Sequence, residues 1–418
     1  MNGLQNRSPD DSVNSKLVAP AGLFISKPTW QDTSECSATS AFFVSGLDPP
    51  THRSNSKKES SMAATMNCFV MHGIGKVGLV EKPVPRPGPI DAVIRTTAAL
   101  ICTSDTHTVA GAIGDRHGLT LGHEAVGVIH ELGELAEASG LFRIGQRVAV
   151  SAITPCYACD NCQRGYPSQC GGMLGGWKFA NVKDGSFAEY FHVNNAVANL
   201  AAIPDRISDE QAVYCSDMLS TGFVAAEFAN IPLGGSVAIF SQGPVGMMAT
   251  VGARLRGAGL VIGVESMPNR IALAKTYGCD VIVDFTKEDP IEAILKLTDG
   301  KGVDSAIEAL GSAKTFAACV SVTRPGGTIS NIGYHGDGDS VPIPREAWGV
   351  GMGDKTIRTG LCPGGSERMH RLMRLIETKR VDPLALTTHR FPFHDIERAF
   401  QMMQTKADGM IKPLITFA

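Results

Sequence analysis

The sequence predicts an α/β protein in which a β-rich domain is joined to a doubly wound parallel-sheet domain. Short apolar or alternating segments, separated by Pro and Gly, fill the stretch from about residue 66 to 205. From about residue 220, short strand-like runs alternate with helix-spaced segments, the repeat that specifies a parallel sheet with crossover helices. Glycine is abundant, 46 of 418 residues, without a G-X-Y period, so tight turns and close backbone approaches are expected. With 43% hydrophobic and 19% charged residues, a core of ordinary size is available. The 38 basic and 41 acidic residues leave a net charge of -3, so no basic excess exists to neutralise phosphates, which argues against general nucleic-acid binding. No window approaches the ~18 uninterrupted apolar residues of a membrane span.

Residues 1–65 are serine-rich, lack a sustained hydrophobic period and read as a disordered N-terminal extension. Asp10, Asp11, Asp32, Glu35, Asp48 and Glu59, with few arginines, disfavour a mitochondrial transit peptide, leaving a cytoplasmic location as the expectation. The folded chain is expected to begin near Met66. Over 66–216, strands are expected at 66–72, 77–81, 92–97, 125–132 and 147–150, punctuated by Pro83, Pro85, Pro87, Gly122, Gly140 and Gly145. Over 217–358, strands at 236–241, 260–265, 281–284, 303–309 and 328–332 alternate with helices at 245–256, 270–277, 291–297 and 313–322. The last part, 359–418, offers amphipathic helices at 369–379 and 396–403, then a strand at 410–416 that returns to the first domain.

The turn Ser241-Gln242-Gly243-Pro244-Val245-Gly246 is an imperfect G-x-G-x-x-G with Ser in the first glycine position. Its context strengthens it: a strand before, a helix after, and an acidic residue ending the next strand. Gly243 lets backbone approach a pyrophosphate at the helix N-terminus, and Gly246 permits tight helix–strand packing. Glu265, followed by Ser266 and Arg270, can accept hydrogen bonds from adenosine ribose hydroxyls. A 2′-phosphate ~4 Å from that carboxylate would be repelled by about 4 kcal/mol at an effective dielectric near 20. The sign favours NAD over NADP.

Eleven cysteines, an odd number, with no secretory segment opening the chain, argue against a disulfide framework. Cys156, Cys159, Cys162 and Cys170 are spaced C-x2-C-x2-C-x7-C, which suits a closed tetrahedral zinc site. That lobe has too few apolar residues to hold itself, so metal must supply its folding energy. A second set is dispersed: Cys102-Thr103-Ser104-Asp105-Thr106-His107, then Gly122-His123-Glu124, then Asp217-Met218-Leu219-Ser220-Thr221-Gly222. Each piece alone is ambiguous.

Together, in this order, these pieces resemble the zinc-dependent medium-chain alcohol dehydrogenases, and within them the secondary-alcohol (isopropanol-type) branch. The resemblance covers residues 66–418 and rests on 101–107, 121–126, 171–185 (GGMLGGWKFANVKDG), 217–223, 300–306 and 360–365 (GLCPGG). It implies a GroES-like catalytic domain interrupted by a Rossmann domain, with the active site in the cleft between them and two zinc ions per chain. Cys102, His123 and Asp217 become catalytic zinc ligands, with Glu124 an exchangeable fourth. Many relatives carry Cys where Asp217 stands, whereas the secondary-alcohol branch carries Asp; Cys215 is out of register. Zinc makes a bound alcohol more acidic, Ser104 takes its proton, His107 passes it towards solvent, and Asp105 orients His123. Hydride goes to the nicotinamide, near which Thr103 and Thr221 are expected.

Ala152, Trp177, Leu361 and Cys362 would line a pocket for a small alcohol or ketone, and Met352 would reach a neighbouring subunit in a homotetramer or homodimer. NADP-using members carry Gly and Arg where this chain has Glu265 and Met267, and Tyr where it has Phe285, which again favours NAD. The alternatives are an NADP-preferring or pathway-specific enzyme of the same family, and a non-catalytic nucleotide-binding protein on this fold, which would be expected to have lost the metal ligands.

Overall fold

The computed structural model describes residues 64–170, 174, 183–336 and 338–418. The expected N-terminal extension, up to residue 63, and Trp177 lie outside the described residues. The first part of the chain lays down β1 (Thr65–Gly73), β2 (Lys76–Pro83), β3 (Ala92–Leu100), β4 (His117–Thr120), β5 (Ala125–Leu132), β6 (Arg147–Val150), β7 (Tyr190–Val193) and β8 (Leu200–Ala202). β1 pairs antiparallel with β2 and β4 in a three-stranded sheet. β3 is buried along nearly its whole length and pairs antiparallel with both β5 and β7. Gly127 in β5 faces β3 closely: a Cβ there would collide with the carbonyl of Arg95. Phe69, Ile94, Ile101, Val150, Phe187 and Phe191 lie in the core beneath these sheets.

The next part is a six-stranded, all-parallel sheet of β9 (Ser236–Phe240), β10 (Leu260–Val264), β11 (Val281–Val283), β12 (Val303–Glu308), β13 (Thr323–Asn331) and β14 (Thr356–Thr359). The order β11-β10-β9-β12-β13-β14 reverses direction between β9 and β12, the place where such sheets bind ligands beyond their C-terminal strand ends. The helices Pro244–Leu255, Pro268–Thr276 and Pro290–Leu297 each open with proline, whose fixed φ and missing N–H suit the first turn. Asp289 and Ser312 cap the helices Pro290–Leu297 and Ala313–Val322, accepting bonds from the first free backbone N–H groups.

The chain then returns. The helices Ser366–Glu377 and Ile396–Thr405 flank β15 (Thr387–Pro392), and β16 (Lys412–Thr416) pairs antiparallel with β3 through Leu414–Leu100 and Ile415–Ala99. The resulting seven-stranded sheet has the order β15-β16-β3-β5-β6-β8, with β7 also on β3. The architecture is the expected α/β combination. β4, β7, β8, β14 and β15 were not anticipated, nor was the helix Met218–Phe228. β13 begins five residues earlier than the expected 328, because Pro325-Gly326-Gly327 is absorbed as a register shift against β12 rather than ending the strand.

Candidate active site

Cys102 ends the loop after β3 and stands at the N-terminus of the helix Thr103–His107. His123 and Glu124 lie between β4 and β5, and Asp217 stands at the N-terminus of the helix Met218–Phe228. Four donor atoms, one from each of Cys102, His123, Glu124 and Asp217, fall within 4.8 Å of one another. His123 Nε2 is 3.5 Å from Asp217 Oδ2, which is 3.9 Å from Cys102 Sγ. Donors ~2.0–2.3 Å from a central zinc at tetrahedral angles stand roughly 3.3–3.8 Å apart, so the spacing fits one zinc ion.

The surroundings fit as well. Asp105 is buried and uses both oxygens: Oδ2 accepts the backbone N–H of Cys102 at 2.8 Å, and Oδ1 meets His123 Nδ1 at 3.1 Å. That bond turns His123 Nε2 towards the cluster. Burial disfavours the imidazolium, but the charge of Asp105 and bonds to Asp105, Asp217 and Cys102 outweigh it and hold His123 well above its usual range. The same negative field would favour a divalent cation. Thr221 donates its hydroxyl to Asp217 Oδ1 and so fixes that carboxylate. Glu124 is fully buried; burial pushes its carboxyl up to about 7 against the pull of Lys412, whose Nζ lies 2.6 Å from Oε1. Its other oxygen, Oε2, has no protein partner among the described residues, the condition of a carboxylate that can reach a metal.

Ser104 Oγ lies 3.2 Å from His123 Nε2, at the edge of the cluster. His107 is one helical turn further on the same face, exposed, with its ring 5.8 Å from that of Tyr334. Leu361 and Cys362 pack with Val224 and Phe228 against the second cysteine cluster. Burial pushes the Cys362 thiol up to about 12, with the nearby charge of Asp217 adding to it. Ala152 is buried and its N–H bonds the carbonyl of Ser216, next to Asp217. Of the expected pocket residues, Ala152 and Cys362 therefore lie near Asp217, and Leu361 packs on the cysteine lobe.

The nucleotide turn is built as the sequence suggested, with two additions. Ser241 takes a left-handed φ of 77°, which explains why glycine is the usual residue there. A Cβ on Gly246 would collide with the Ser241 carbonyl, whereas one on Gly243 would make only ordinary contacts with Ser241 Oγ and the Arg270 guanidinium. Glu265 is 5% exposed and already engaged: Oε1 accepts from Ser266 N at 2.9 Å and Met267 N at 3.1 Å, and Oε2 from Gln242 N at 3.2 Å. Arg270 is 3.6 Å from Glu265, with its buried Nε unpartnered among the described residues. A cavity of about 750 Å³ runs past Phe240 and Val264, with Phe285 and Leu310 exposed at its walls. A buried unpaired guanidinium N–H, a glycine cradle and an apolar cleft suit a dinucleotide.

Sequence reasoning missed two cations here. Lys406 Nζ bonds Thr103 Oγ1 at 3.1 Å, and burial, with Arg270 nearby, pulls its ammonium down to about 8. Lys412 is fully buried, yet Glu124 and Cys102 outweigh burial and hold it above its ordinary value. Both arrive from the last part of the chain, so no local signal marks them.

The second cluster is Cys156, Cys159, Cys162 and Cys170, whose sulfurs also lie within 4.8 Å of one another. The N–H groups of Cys156 and Cys159 donate to Cys170 Sγ and Cys156 Sγ at 3.3 Å each. Backbone donation, first from Ala158, lowers the Cys156 thiol to about 7. Four converging sulfurs with N–H support suit a structural zinc.

Two family models match the chain: "Alcohol dehydrogenase GroES-like domain" over residues 88–205 and "Zinc-binding dehydrogenase" over 244–378. The chain is 52% identical over 356 residues to the NADP-dependent isopropanol dehydrogenase of Thermoanaerobacter brockii, covering 84% of this chain and all of that one. It is 49% identical over 353 residues to the enzyme of the same description from Entamoeba histolytica, covering 84% and 96%. Among solved structures, alcohol dehydrogenase TADH from Thermus sp. ATN1 superimposes with a TM-score of 0.77 at 28% identity, covering 84% of this chain and 100% of that one. The fold and its paired metal clusters define a zinc-binding dehydrogenase. The chain belongs to the zinc-dependent medium-chain alcohol dehydrogenases, near their secondary-alcohol branch.

Proposed function

We propose that this protein catalyses the reversible, nicotinamide-linked oxidation of small secondary alcohols to ketones at a zinc held by Cys102, His123 and Asp217. The carrying observation is the convergence of those three donors, with Glu124 beside them as an exchangeable fourth. The isopropanol dehydrogenases to which the chain is similar support the substrate class. When bound, zinc supplies Lewis acidity towards an alcohol oxygen, and the nicotinamide accepts hydride. The chain's own residues do the rest. Ser104 is placed to take the hydroxyl proton and His107 to pass it outward. Asp105 and Thr221 hold His123 and Asp217 in orientation. Thr221, expected beside the cofactor, works in this reading through Asp217. Ala152, Cys362 and Leu361 bound a small, largely apolar pocket. Residues 66–216 and 359–418 form the catalytic domain in this reading, and 217–358 the nucleotide domain.

Two observations divide on the coenzyme. Glu265, Met267 and Phe285 favour NAD, the reading we adopt. The NADP-dependent isopropanol dehydrogenases to which the chain is similar favour NADP, and Arg270, 3.6 Å from Glu265, softens the carboxylate's repulsion of a 2′-phosphate. Homo-oligomerisation is supported by the edge of β14, unpaired among the described residues, beside which Trp348, Val350 and Met352 are exposed. Reading Cys156, Cys159, Cys162 and Cys170 as metal ligands rather than disulfide partners supports a reducing compartment such as the cytoplasm; among the described residues no helix is long and apolar enough to cross a membrane.

The test is turnover of isopropanol with each coenzyme in separate assays, for the wild type and Cys102→Ala. Turnover with at least one coenzyme, lost in the variant together with one zinc, is expected. A protein holding two zinc ions that turns over no secondary alcohol with either coenzyme would mean the non-catalytic reading is correct. For coenzyme choice, NAD should be preferred by about tenfold or more in kcat/KM, a difference of about 1.4 kcal/mol. Glu265→Gly should shift that ratio towards NADP. An unchanged ratio would remove Glu265 as its cause.

A further inference from the structure

The loops that follow β12 and β13 are locked to one another by a buried carboxylate that the reaction does not use. Glu308 is fully buried at the end of β12. Its Oε1 accepts from Leu310 N at 3.1 Å, Gly311 N at 2.9 Å and Thr315 Oγ1 at 2.6 Å. Its backbone carbonyl accepts from Ile332 N and Gly333 N across the loop gap. The fit leaves no space: a Cβ on Gly333 would strike Glu308 Oε2 and Gly311 N, and one on Gly311 would strike the Tyr334 carbonyl.

His335 closes this assembly. Asn331 Nδ2 donates to the Gly333 carbonyl at 3.1 Å, which turns its Oδ1 towards His335 Nε2 at 2.8 Å. His335 therefore donates from Nε2, an assignment made by the network. The same nitrogen is 3.7 Å from Glu308 Oε2, and the ring stands edge-on to Phe316 at 5.9 Å. Between the two clamped residues Gly333 and His335 sits Tyr334, whose ring meets His107 on the catalytic helix.

We infer that His335 is a positioning residue: through Asn331 and Glu308 it fixes the loop 332–336 so that Tyr334 stands against His107 and sets the outer end of the proton path. The inference rests on the reading of His107 as that outer end. A loop at this place without the clamp would let Tyr334 drift from His107 while the coenzyme turn at 241–246 stayed intact.

The experiment is a double-mutant cycle of His335→Phe and His107→Gln on the zinc-loaded enzyme, reading kcat on isopropanol, coenzyme KM and the isotope effect of carbinol deuteration. His335→Phe should lower kcat by about three- to tenfold with little change in coenzyme KM, and should have no further effect in the His107→Gln background, because coupled neighbours are non-additive. The isotope effect should shrink as proton release becomes limiting. His335→Gln, which retains a donor, should recover most of kcat. If His107→Gln alone leaves kcat unchanged, the proton-path reading falls and takes this inference with it. If His107→Gln is impaired but His335→Phe is silent, additive or expressed only in coenzyme KM, the positioning role alone is overturned.

Discussion

Asp105 shows how much one side chain can organise. It holds the backbone that presents Cys102 and the ring that presents His123, each with a separate oxygen. Asp105→Asn keeps the shape but turns an NH2 towards one of two N–H donors. Zinc affinity and kcat should each fall by about 10–100-fold, measured by competition with a chromophoric chelator and by turnover; unchanged affinity would show that the carboxylate orients nothing. Lys406 makes a pH prediction. Its ammonium, pulled down to about 8 by burial and Arg270, is charged below that pH and neutral above it. Any attraction it exerts on a coenzyme diphosphate is therefore present at pH 7 and lost as pH rises through 8, where an ordinary lysine would stay charged. Coenzyme dissociation constants measured by fluorescence should rise across that window, and Lys406→Met should weaken binding at pH 7 and flatten the profile. An unaltered profile would place Lys406 away from the coenzyme.

Among the elements, the cysteine lobe offers the cleanest separation of structure from chemistry. Cys159→Ser should lower zinc from two ions per chain to one and cut Tm by roughly 5–10 °C, at about 2–4 °C per kcal/mol, with turnover largely kept at low temperature. Unchanged zinc content would contradict a metal there. The convergence of these four cysteines was legible because they lie close in sequence. So were the long strands and helices, where periodicity has enough residues to speak. β4, β7, β8 and β14 have three or four residues each, too few for a period, and take their shape from the partners they pair with. The cation partners were illegible for another reason: Lys412 meets Glu124 across 288 residues, a contact that only the folded sheet creates. Glu265 was found, but not its three backbone donors, which arise from the curl of the turn around it.

At the scale of the molecule, the edge of β14, unpaired among the described residues, makes a prediction about assembly. The wild type should sediment as a dimer or tetramer at micromolar concentration, and Val350→Lys with Met352→Lys should favour smaller species; a monomeric wild type would remove the subunit contact altogether. The position of β16 has a further consequence. It is inserted between β15 and β3, and its first residue is the lysine that neutralises Glu124. A ribosome therefore makes the metal-binding loops long before it makes the strand that completes the sheet around them. Until that strand is threaded in, the carboxylate is a lone charge beside an open seam, so zinc loading and C-terminal release should be successive events in the life of each nascent chain.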